Sequence, residues 1–298
     1  MMLLAGTVPV EGLPLTCGAV TAGGEFIVVD GRRVPCTQGT AAMISAALAT
    51  TGYLGLEPPQ ALVAGDTGRG EGSRAIYKNL IENIARLAPR VLTLHYCMPD
   101  MSLTRKLCDV VGKCDHRPIM IADAASMYAA KAAGLAEVFD IFTPDATEMA
   151  FLADPEAIHP AYIARHLFDT DISRTPELVA TACRNRSAAW LLLVKGETDY
   201  VVSAGRVVGT VAEPDVPALE AIGGTGDTIT GLVSAFAYAG LEPHEAALIA
   251  ARANRVAGQA AQATPGTRVW QVIEQFPAVF REHLCRWSRI CLAGGGTP

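Results

Sequence analysis

The stretch Gly223-Gly224-Thr225-Gly226-Asp227-Thr228, which precedes an apolar helix pattern from Ile229 to Ala239, decides how this chain is interpreted. Glycines let the backbone turn sharply and bring its N–H groups close to a ligand. The start of a helix adds unpaired donors and a partial positive charge, and together these bind phosphate. A Walker A loop is excluded because its Lys-Ser/Thr pair is absent. We therefore predict a phosphate cradle at residues 223–226; the simpler alternative is a turn in which Asp227 only caps the helix.

Asp227 favours the phosphate cradle over the simple turn. A carboxylate beside bound phosphate is electrostatically unfavourable unless it serves a purpose. In kinase-type phosphoryl transfer, that purpose is to accept the proton of the attacking hydroxyl. We predict that Asp227 is the catalytic base.

The composition of the 298-residue chain limits the kind of partner that it has. Half of the residues are apolar, 18% are charged, and the net charge is -6, which disfavours a nucleic-acid surface. No apolar stretch reaches the roughly 18 residues of a membrane span. Eight scattered cysteines and six histidines show no metal-ligand spacing. Several cysteines lie in apolar stretches and there is no convincing signal peptide, so reduced thiols and a cytoplasmic location are expected. We expect a small-molecule partner, with no nucleic acid and no membrane.

Short apolar runs alternate with helical patterns along the chain, which predicts an α/β fold. Such alternation implies a mostly parallel sheet covered by helices on both faces, a three-layer αβα sandwich. The loops at the carboxyl ends of the strands then share one rim, where the site is expected. We predict a single domain over residues 1–298 with a flexible tail at about 293–298. The apolar strand runs lie at 26–29, 61–64, 91–96, 118–121, 138–142 and 190–194.

The residues 224–231, Gly-Thr-Gly-Asp-Thr-Ile-Thr-Gly, resemble the signature of the ribokinase-like superfamily. The resemblance is closest to the branch of ADP- or ATP-dependent NAD(P)H-hydrate dehydratases, the YjeF-related carbohydrate kinase-like proteins. Further stretches agree at 143–148, 193–196, 240–247 and 265–268, so that the resemblance covers about 117–275. The first 115 residues lack the N-terminal glycine pattern of the dehydratases.

The resemblance implies a ribokinase-like fold and the use of ATP or ADP with Mg²⁺. It implies that Asp227 is the base and that the amides of residues 224–226 form an anion hole. By the same resemblance Glu148 would hold Mg²⁺, through water. Asp145 would assist it, although Asp145 stands where the kinases have Asn and could instead cap the following helix. For Glu148 the alternative is a first-turn glutamate that complements the helix dipole.

Lys195 and Gly196 end an apolar strand at the predicted rim, where a lysine could neutralise phosphate charge. A lysine that reaches from a strand end to solvent is the alternative. Asp123 also ends a strand and is predicted to contact the substrate. Asn254, within a helix pattern, lies either near the nucleotide base or towards solvent.

A second glycine-rich loop, from Gly65 to Ser73, joins a strand to a helix on the same rim. Asp66, Gly68, Arg69 and Gly70 are predicted to embrace the acceptor, with Arg69 as a counter-charge. The alternative is a surface loop capped by Ser73.

Three functions follow from these residues. The first is phosphoryl transfer to a small-molecule hydroxyl with subsequent elimination, as in the NAD(P)H-hydrate dehydratases. The second is a kinase for a sugar or a vitamin-precursor alcohol, which stops after the transfer. A protein that binds a nucleotide or metabolite without turnover is the alternative of another class. We expect a homo-oligomer in each case.

Overall fold

The described part of the chain, residues 1–21, 23–157 and 174–291 of a computed structural model, contains a sheet of eleven strands. Their order across the sheet is β11-β10-β9-β8-β7-β6-β1-β5-β2-β3-β4. The six central strands, from β9 to β5, are parallel, and antiparallel strands extend the sheet at both edges. The strands are β1 (Met2–Val8), β2 (Thr16–Thr21), β3 (Phe26–Val29), β4 (Arg32–Pro35), β5 (Gln60–Gly65), β6 (Val91–His95), β7 (Ile119–Asp123), β8 (Ile141–Phe142), β9 (Leu191–Val194), β10 (Asp199–Ser203) and β11 (Arg206–Val211).

Helices connect the parallel strands and cover both faces of the sheet. Met2 and Leu4 of β1 pack into a core with one set of helices, whereas Leu3 and Ala5 pack into a second core on the opposite face. This alternation of side chains along a strand confirms the predicted three-layer α/β fold. The described helices are α1 (Gly39–Tyr53), α2 (Glu71–Leu87), α3 (Met101–Val111), α4 (Ala125–Ala132), α5 (Ala146–Ala153), α6 (Thr175–Arg184), α7 (Ala218–Ala221), α8 (Thr225–Tyr238), α9 (Pro243–Ala260), α10 (Val269–Ile273) and α11 (Phe276–Trp287).

The central position of β1 is the largest difference from the sequence prediction. The predicted strand runs begin only at residues 26–29, yet all seven residues of β1 are buried between β5 and β6. The strand predicted at 138–142 is shorter than expected. Ala136–Val138 forms a 3-10 turn, and Asp140 uses its carboxylate to accept the N–H of Met120, so that only Ile141–Phe142 pairs as a strand.

The register of the parallel strands gathers polar residues at one rim. His95 at the end of β6 lies opposite Asp123 at the end of β7. Asp145, which follows β8, forms an isolated parallel bridge with Lys195, which follows β9. Because parallel strands place their carboxyl ends together, residues distant in sequence become neighbours.

Helices α1 and α8 pack closely on one face of the sheet. A Cβ added to Gly231 of α8 would lie 2.1 Å from the carbonyl oxygen of Met43 in α1, so only glycine permits this approach. The N-terminal ends of both helices therefore meet at the rim, where Gly39 begins α1 and Thr225 begins α8.

The cysteines differ in part from the expectation. The expectation of reduced cysteines is wrong for Cys285 and Cys291, which form a disulfide at the end of α11; six other cysteines are free. In the part of the chain that the structure describes, no helix has the length and apolar character needed to cross a membrane. The predicted flexible tail at 293–298 lies outside the described residues, as does part of the sequence from Thr147 to about Arg184, which has a helical pattern.

Candidate active site

The turn before α8 depends on its two leading glycines. Gly224 has a φ of +100°, and a Cβ at this position would lie 3.0 Å from the Cα of Gln38 and 3.1 Å from a methyl group of Val269. A Cβ on Gly223 would lie 2.8 Å from the side-chain oxygen of Gln38. The glycines thus let the turn lie against the start of α1.

The first turn of α8 offers backbone donors to a ligand. No side chain caps this helix, and within the described residues the N–H groups of Gly226 and Asp227 have no hydrogen-bond partner. The ammonium group of Lys195 lies 3.7 Å from the position that a Cβ on Gly226 would occupy. The hydroxyl of Thr225 is not available, because it donates to the Leu219 carbonyl at 2.7 Å. Two free amides and one cation therefore lie side by side, as anion binding requires.

Asp227, the predicted base, is held from two sides. Its Oδ2 accepts the Gly39 N–H at 2.7 Å, and its Oδ1 lies 3.1 Å from Nε2 of His95. The side chain is 14% exposed, which leaves the carboxylate within reach of a ligand. This geometry goes beyond helix capping, since both partners come from other elements.

His95 connects the two helix starts with the strand ends and is fully buried. Its Nδ1 lies 3.0 Å from the hydroxyl of Thr40 in the first turn of α1. Its Nε2 lies 3.5 Å from Oδ2 of Asp123, in addition to its contact with Asp227. The imidazole therefore lies between two carboxylates.

Asp123 and Lys195 form a buried ion pair next to the predicted phosphate cradle. The ammonium group contacts both oxygens of Asp123, at 2.9 and 3.0 Å. Asp123 also accepts the Thr230 hydroxyl at 2.5 Å and the Ala124 N–H at 2.8 Å. Its side chain is 2% exposed, so the predicted contact of Asp123 with substrate finds no free acceptor here.

The pKa values of this pair show that both groups are charged. Burial alone would raise the pKa of Asp123, but the Lys195 charge and His95 hold it well below its usual range. Burial alone would lower the pKa of Lys195, but Asp123, Glu148 and Asp227 raise it. Lys195 does not extend freely into solvent, since its side chain is only 11% exposed.

Asp145 and Glu148 cap the start of α5. The Asp145 carboxylate accepts the Glu148 N–H at 2.7 Å, and the Glu148 carboxylate accepts the Asp145 N–H at 2.8 Å. Tyr128 donates its hydroxyl to Glu148 at 3.4 Å. Desolvation, followed by the charges of Asp145 and Asp123, raises the pKa of Glu148 to about 8. The capping alternative is realised, and a cation would relieve the crowding of negative charge around Glu148.

A different set of side chains has the spacing of metal ligands. Among the described residues, one nitrogen of His95 and one oxygen each of Asp123 and Asp227 lie within 4.8 Å of one another. Neither Glu148 nor Asp145 belongs to such a group of three. The Lys195 ammonium group already occupies Asp123, which favours an ion-pair network over a metal centre.

The second glycine-rich loop is organised by its own aspartate. One oxygen of Asp66 accepts the N–H groups of Gly68, Arg69 and Gly70 at 2.9–3.0 Å. The other accepts the N–H and the hydroxyl of Ser73 at 3.1 and 3.0 Å. Since the carboxylate fills this ring of donors, the loop does not offer it to an acceptor's anion. The guanidinium of exposed Arg69 stays a predicted contact.

Two neighbouring residues of α9 hold the two segments of the predicted phosphate site, which are the start of α8 and the loop after Lys195. Asn254 is buried and accepts the Thr228 hydroxyl at 2.7 Å, which excludes the solvent-facing alternative. Arg255 is also buried. Its guanidinium binds Asp199 at 2.8 Å and the carbonyl groups of Gly196 and Glu197 at 2.7 and 2.8 Å. The loop after Lys195 is thereby fixed relative to α8.

Sequence reasoning missed His95, Arg255 and the segment 38–40. His95 had one usable signal, because it ends a predicted apolar strand at the predicted rim. The segment 38–40 and Arg255 carry no local signal, since their roles arise only from contacts with residues far away in the sequence.

Comparison with known proteins agrees with the fold and the glycine-rich turn, which together define a ribokinase-like α/β protein. Residues 103–275 match the Carb_kinase family model, described as NAD(P)H-hydrate dehydratase. Because the match exceeds half of the chain, the protein belongs to this family, as the resemblance in the sequence implied.

Two relatives extend the comparison. The chain is 34% identical over 242 residues to the uncharacterized protein MJ1337 of Methanocaldococcus jannaschii, which covers 81% of this chain and 100% of that protein. It is 39% identical over 95 residues to the bifunctional NAD(P)H-hydrate repair enzyme Nnr of Pyrobaculum aerophilum. That match covers 31% of this chain and 18% of the repair enzyme.

Solved structures share the fold. YxkO of Bacillus subtilis matches with a TM-score of 0.54 and 16% identity, covering 83% of this chain and 88% of that chain. The ADP/ATP-dependent NAD(P)H-hydrate dehydratase of Bacillus subtilis, co-crystallized with ATP/Mg²⁺ and soaked with CoA, matches with a TM-score of 0.54 and 15% identity. That match covers 83% of this chain and 87% of the dehydratase.

Proposed function

We propose that this protein acts as an NAD(P)H-hydrate dehydratase. It uses ATP or ADP with Mg²⁺ to phosphorylate a hydroxyl group of a small molecule and then eliminates the phosphorylated hydroxyl group. The observation that carries this proposal is the position of Asp227. Its carboxylate is held by Gly39 and His95 beside two unpartnered amides and Lys195. Membership of the Carb_kinase family supports the same activity.

The proposed transfer step uses these groups in distinct roles. Asp227 accepts the hydroxyl proton while the hydroxyl oxygen bonds to phosphorus and the bond from phosphorus to the nucleotide's bridging oxygen breaks. The amides of Gly226 and Asp227, with Lys195, stabilise the charge on the transferred group. Preorganised donors of this kind contribute several kcal/mol to transition-state stabilisation.

Glu148 and Asp145 are the proposed residues for Mg²⁺. Carboxylate oxygens are suitable ligands for this ion, which keeps much of its water. The crowded charge that raises the pKa of Glu148 fits a cation at this position. When bound, Mg²⁺ would neutralise phosphate charge.

A cavity of about 410 Å³ between β11 and α9 is the proposed position of the nucleotide base. Ala212 and Glu213 at the end of β11 line one wall, and Val256 of α9 lines another. The Ala212 carbonyl is bound by Arg255, which also holds the loop after Lys195. The cavity and the phosphate site therefore share one support.

The test is a turnover screen with ATP and ADP against NADH hydrate, hydroxymethylpyrimidine, hydroxyethylthiazole and simple sugars. Dehydration of NADH hydrate is the expected result. A stable phosphorylated product instead would identify a kinase. Tight nucleotide binding without turnover of any acceptor would identify a binding protein.

We predict that Asp227→Asn abolishes turnover and leaves nucleotide binding within a few-fold of the parent protein. The amide keeps the size of the side chain but cannot accept the proton, and general base catalysis contributes roughly 10²–10⁴-fold. Steady-state kinetics and calorimetric titration with nucleotide measure the two effects. Asp109→Asn, on the exposed face of α3, is the matched control. Full turnover in Asp227→Asn would refute the base assignment.

Other aspects of the function remain predictions. We infer that the acceptor is a small molecule, in keeping with the family, and that Arg69 contacts it. The expected homo-oligomer is tested by the mass of the purified protein in solution. Cytoplasmic location is tested by cell fractionation.

A further inference from the structure

His95 is unusual because a fully buried imidazole lies between two carboxylates of the candidate site. Nε2 is 3.1 Å from Asp227 and 3.5 Å from Asp123. Nδ1 is 3.0 Å from the Thr40 hydroxyl, which is free to accept a hydrogen bond. Burial without a charged partner would favour a neutral ring, so the contacts decide its state.

The balance of charges at the site favours a protonated ring. Lys195 neutralises Asp123, with both oxygens in contact. Among the described residues, Asp227 has direct contacts only with the neutral Gly39 N–H and with His95, although its charge also acts on Lys195. With a neutral imidazole, two carboxylates on either side of the ring would share one ammonium group in a largely buried place. Such uncompensated charge is costly. Although burial lowers the pKa of His95, Asp123 and Asp227 raise it to about 9.

We propose that His95 is a positioning residue that stays protonated and holds the Asp227 carboxylate in the orientation that receives the acceptor's proton. This inference rests on the proposed function. The imidazolium keeps its own proton throughout the transfer step: the hydroxyl proton goes to Asp227, and His95 supplies a fixed charge. Thr40 fixes the other side of the ring, so the start of α1 takes part in aligning the base.

The groups around His95 define how it titrates. Asp123 faces it from β7, and Asp227 faces it from α8. The charge of Lys195 acts on Asp123 and Asp227, and that of Glu148 acts on Asp123. On its own segment, the Tyr96 ring lies against the imidazole at 4.7 Å between centroids, and Cys97 is buried. Thr40 and Thr230 are neutral.

The charge of His95 is measured directly by nuclear magnetic resonance on the full chain labelled with ¹⁵N-histidine. His95→Gln assigns the signal by its loss. We expect a protonated ring at pH 7.5 that titrates well above free imidazole, and an earlier loss of the proton in Asp227→Asn and Asp123→Asn. A neutral ring at pH 7 would overturn the proposal. So would a stoichiometric metal ion in the purified protein whose removal by chelator changes the His95 signal.

Kinetics test the positioning role. Glutamine retains a donor but no charge, so His95→Gln is expected to lower kcat roughly 10- to 100-fold through loss of the charged contact with Asp227. The nucleotide KM should change less than twofold, and the loss of activity of the parent protein above about pH 9 should disappear. The exposed His116→Gln is the matched control. Unchanged kcat in folded His95→Gln would contradict positioning.

The two proposals can fail separately. If Asp227→Asn stays active, the base assignment fails, while the resonance experiment still reports the charge on His95. If the ring is neutral in an enzyme that needs Asp227, only the proposal for His95 fails. The resonance measurement on the parent protein requires no variant to fold.

Discussion

At the scale of single residues, the site is a row of side chains whose charges alternate in sign. Lys195, Asp123, His95 and Asp227 follow one another across the rim, each within 3.5 Å of the next. The hydroxyl group of Thr40 in α1 contacts His95 in this row, and that of Thr230 in α8 donates to Asp123. Buried charged groups are tolerated only when they are paired and hydrogen-bonded, and here each has both. The row therefore ends at one partly exposed carboxylate, that of Asp227.

This arrangement predicts how stability depends on pH. The pKa of His95 is raised from 6.5 to about 9, so its contribution to the free energy of unfolding is complete below pH 6.5 and is lost as pH rises through 9. The total is on the order of 3 kcal/mol. Chemical denaturation of the parent protein and His95→Gln from pH 6 to 10 measures it. The difference between them should shrink as pH rises; parallel curves would contradict the prediction.

At the scale of elements, the contact between α1 and α8 sets the position of Asp227, the proposed base. Most of α1 is buried, from Thr40 to Ala47. Gly231 in the middle of α8 touches the α1 backbone at Met43. Because both helices begin at the rim, any change in their separation moves Gly39 relative to Asp227. Packing one or two turns below the site therefore acts on its geometry.

Gly231→Ala tests this contact. The new methyl group would lie 2.1 Å from the Met43 carbonyl oxygen, so the helices must separate, at a cost of typically 1–3 kcal/mol. We expect a lower melting temperature together with a lower kcat. Gly52→Ala is the control, because a Cβ there has open space around it and should stabilise α1 by about 0.5–1 kcal/mol. Equal stability of the two variants would refute the tight contact.

The sequence was sufficient to predict the alternation of strands and helices and the importance of residues 223–227. Buried apolar runs and glycine-rich turns carry local signals, because one residue type at one spacing is enough to recognise them. Other features required the register of the sheet. The role of His95 can be inferred only from its pairing with Asp123. The strand β1 could not be recognised as central, because no turn precedes it. Asp66 looked like a ligand contact because the sequence does not show which donors its own loop supplies.

At the scale of the whole molecule, the candidate site draws on segments from most of the chain. Its residues come from position 39 to position 255, and each segment reaches the same rim through the sheet. A ligand that binds across these segments stabilises the folded state as a unit, because the unfolded chain cannot bind it. Nucleotide binding should therefore be visible as a shift in global stability.

We predict that ATP or ADP with Mg²⁺ raises the melting temperature by several degrees, since ligand at 100 times Kd adds about 2.7 kcal/mol. Asp227→Asn should keep this shift. Val256→Trp, which fills the 410 Å³ cavity, should lose most of it. Differential scanning fluorimetry compares the three proteins. A full shift in the melting temperature of Val256→Trp would show that the nucleotide base binds outside this cavity.

The contact between Gly39 and Asp227 also has a consequence for how the protein is made. The two residues are 188 positions apart, and at about 5–20 residues per second the ribosome needs roughly 10–40 seconds between them. During this interval α1 has been synthesised, but its partner α8 has not. Its apolar surface then depends on chaperones or on the nascent sheet for protection. The candidate site is thus completed only late in synthesis, when α8 has been made.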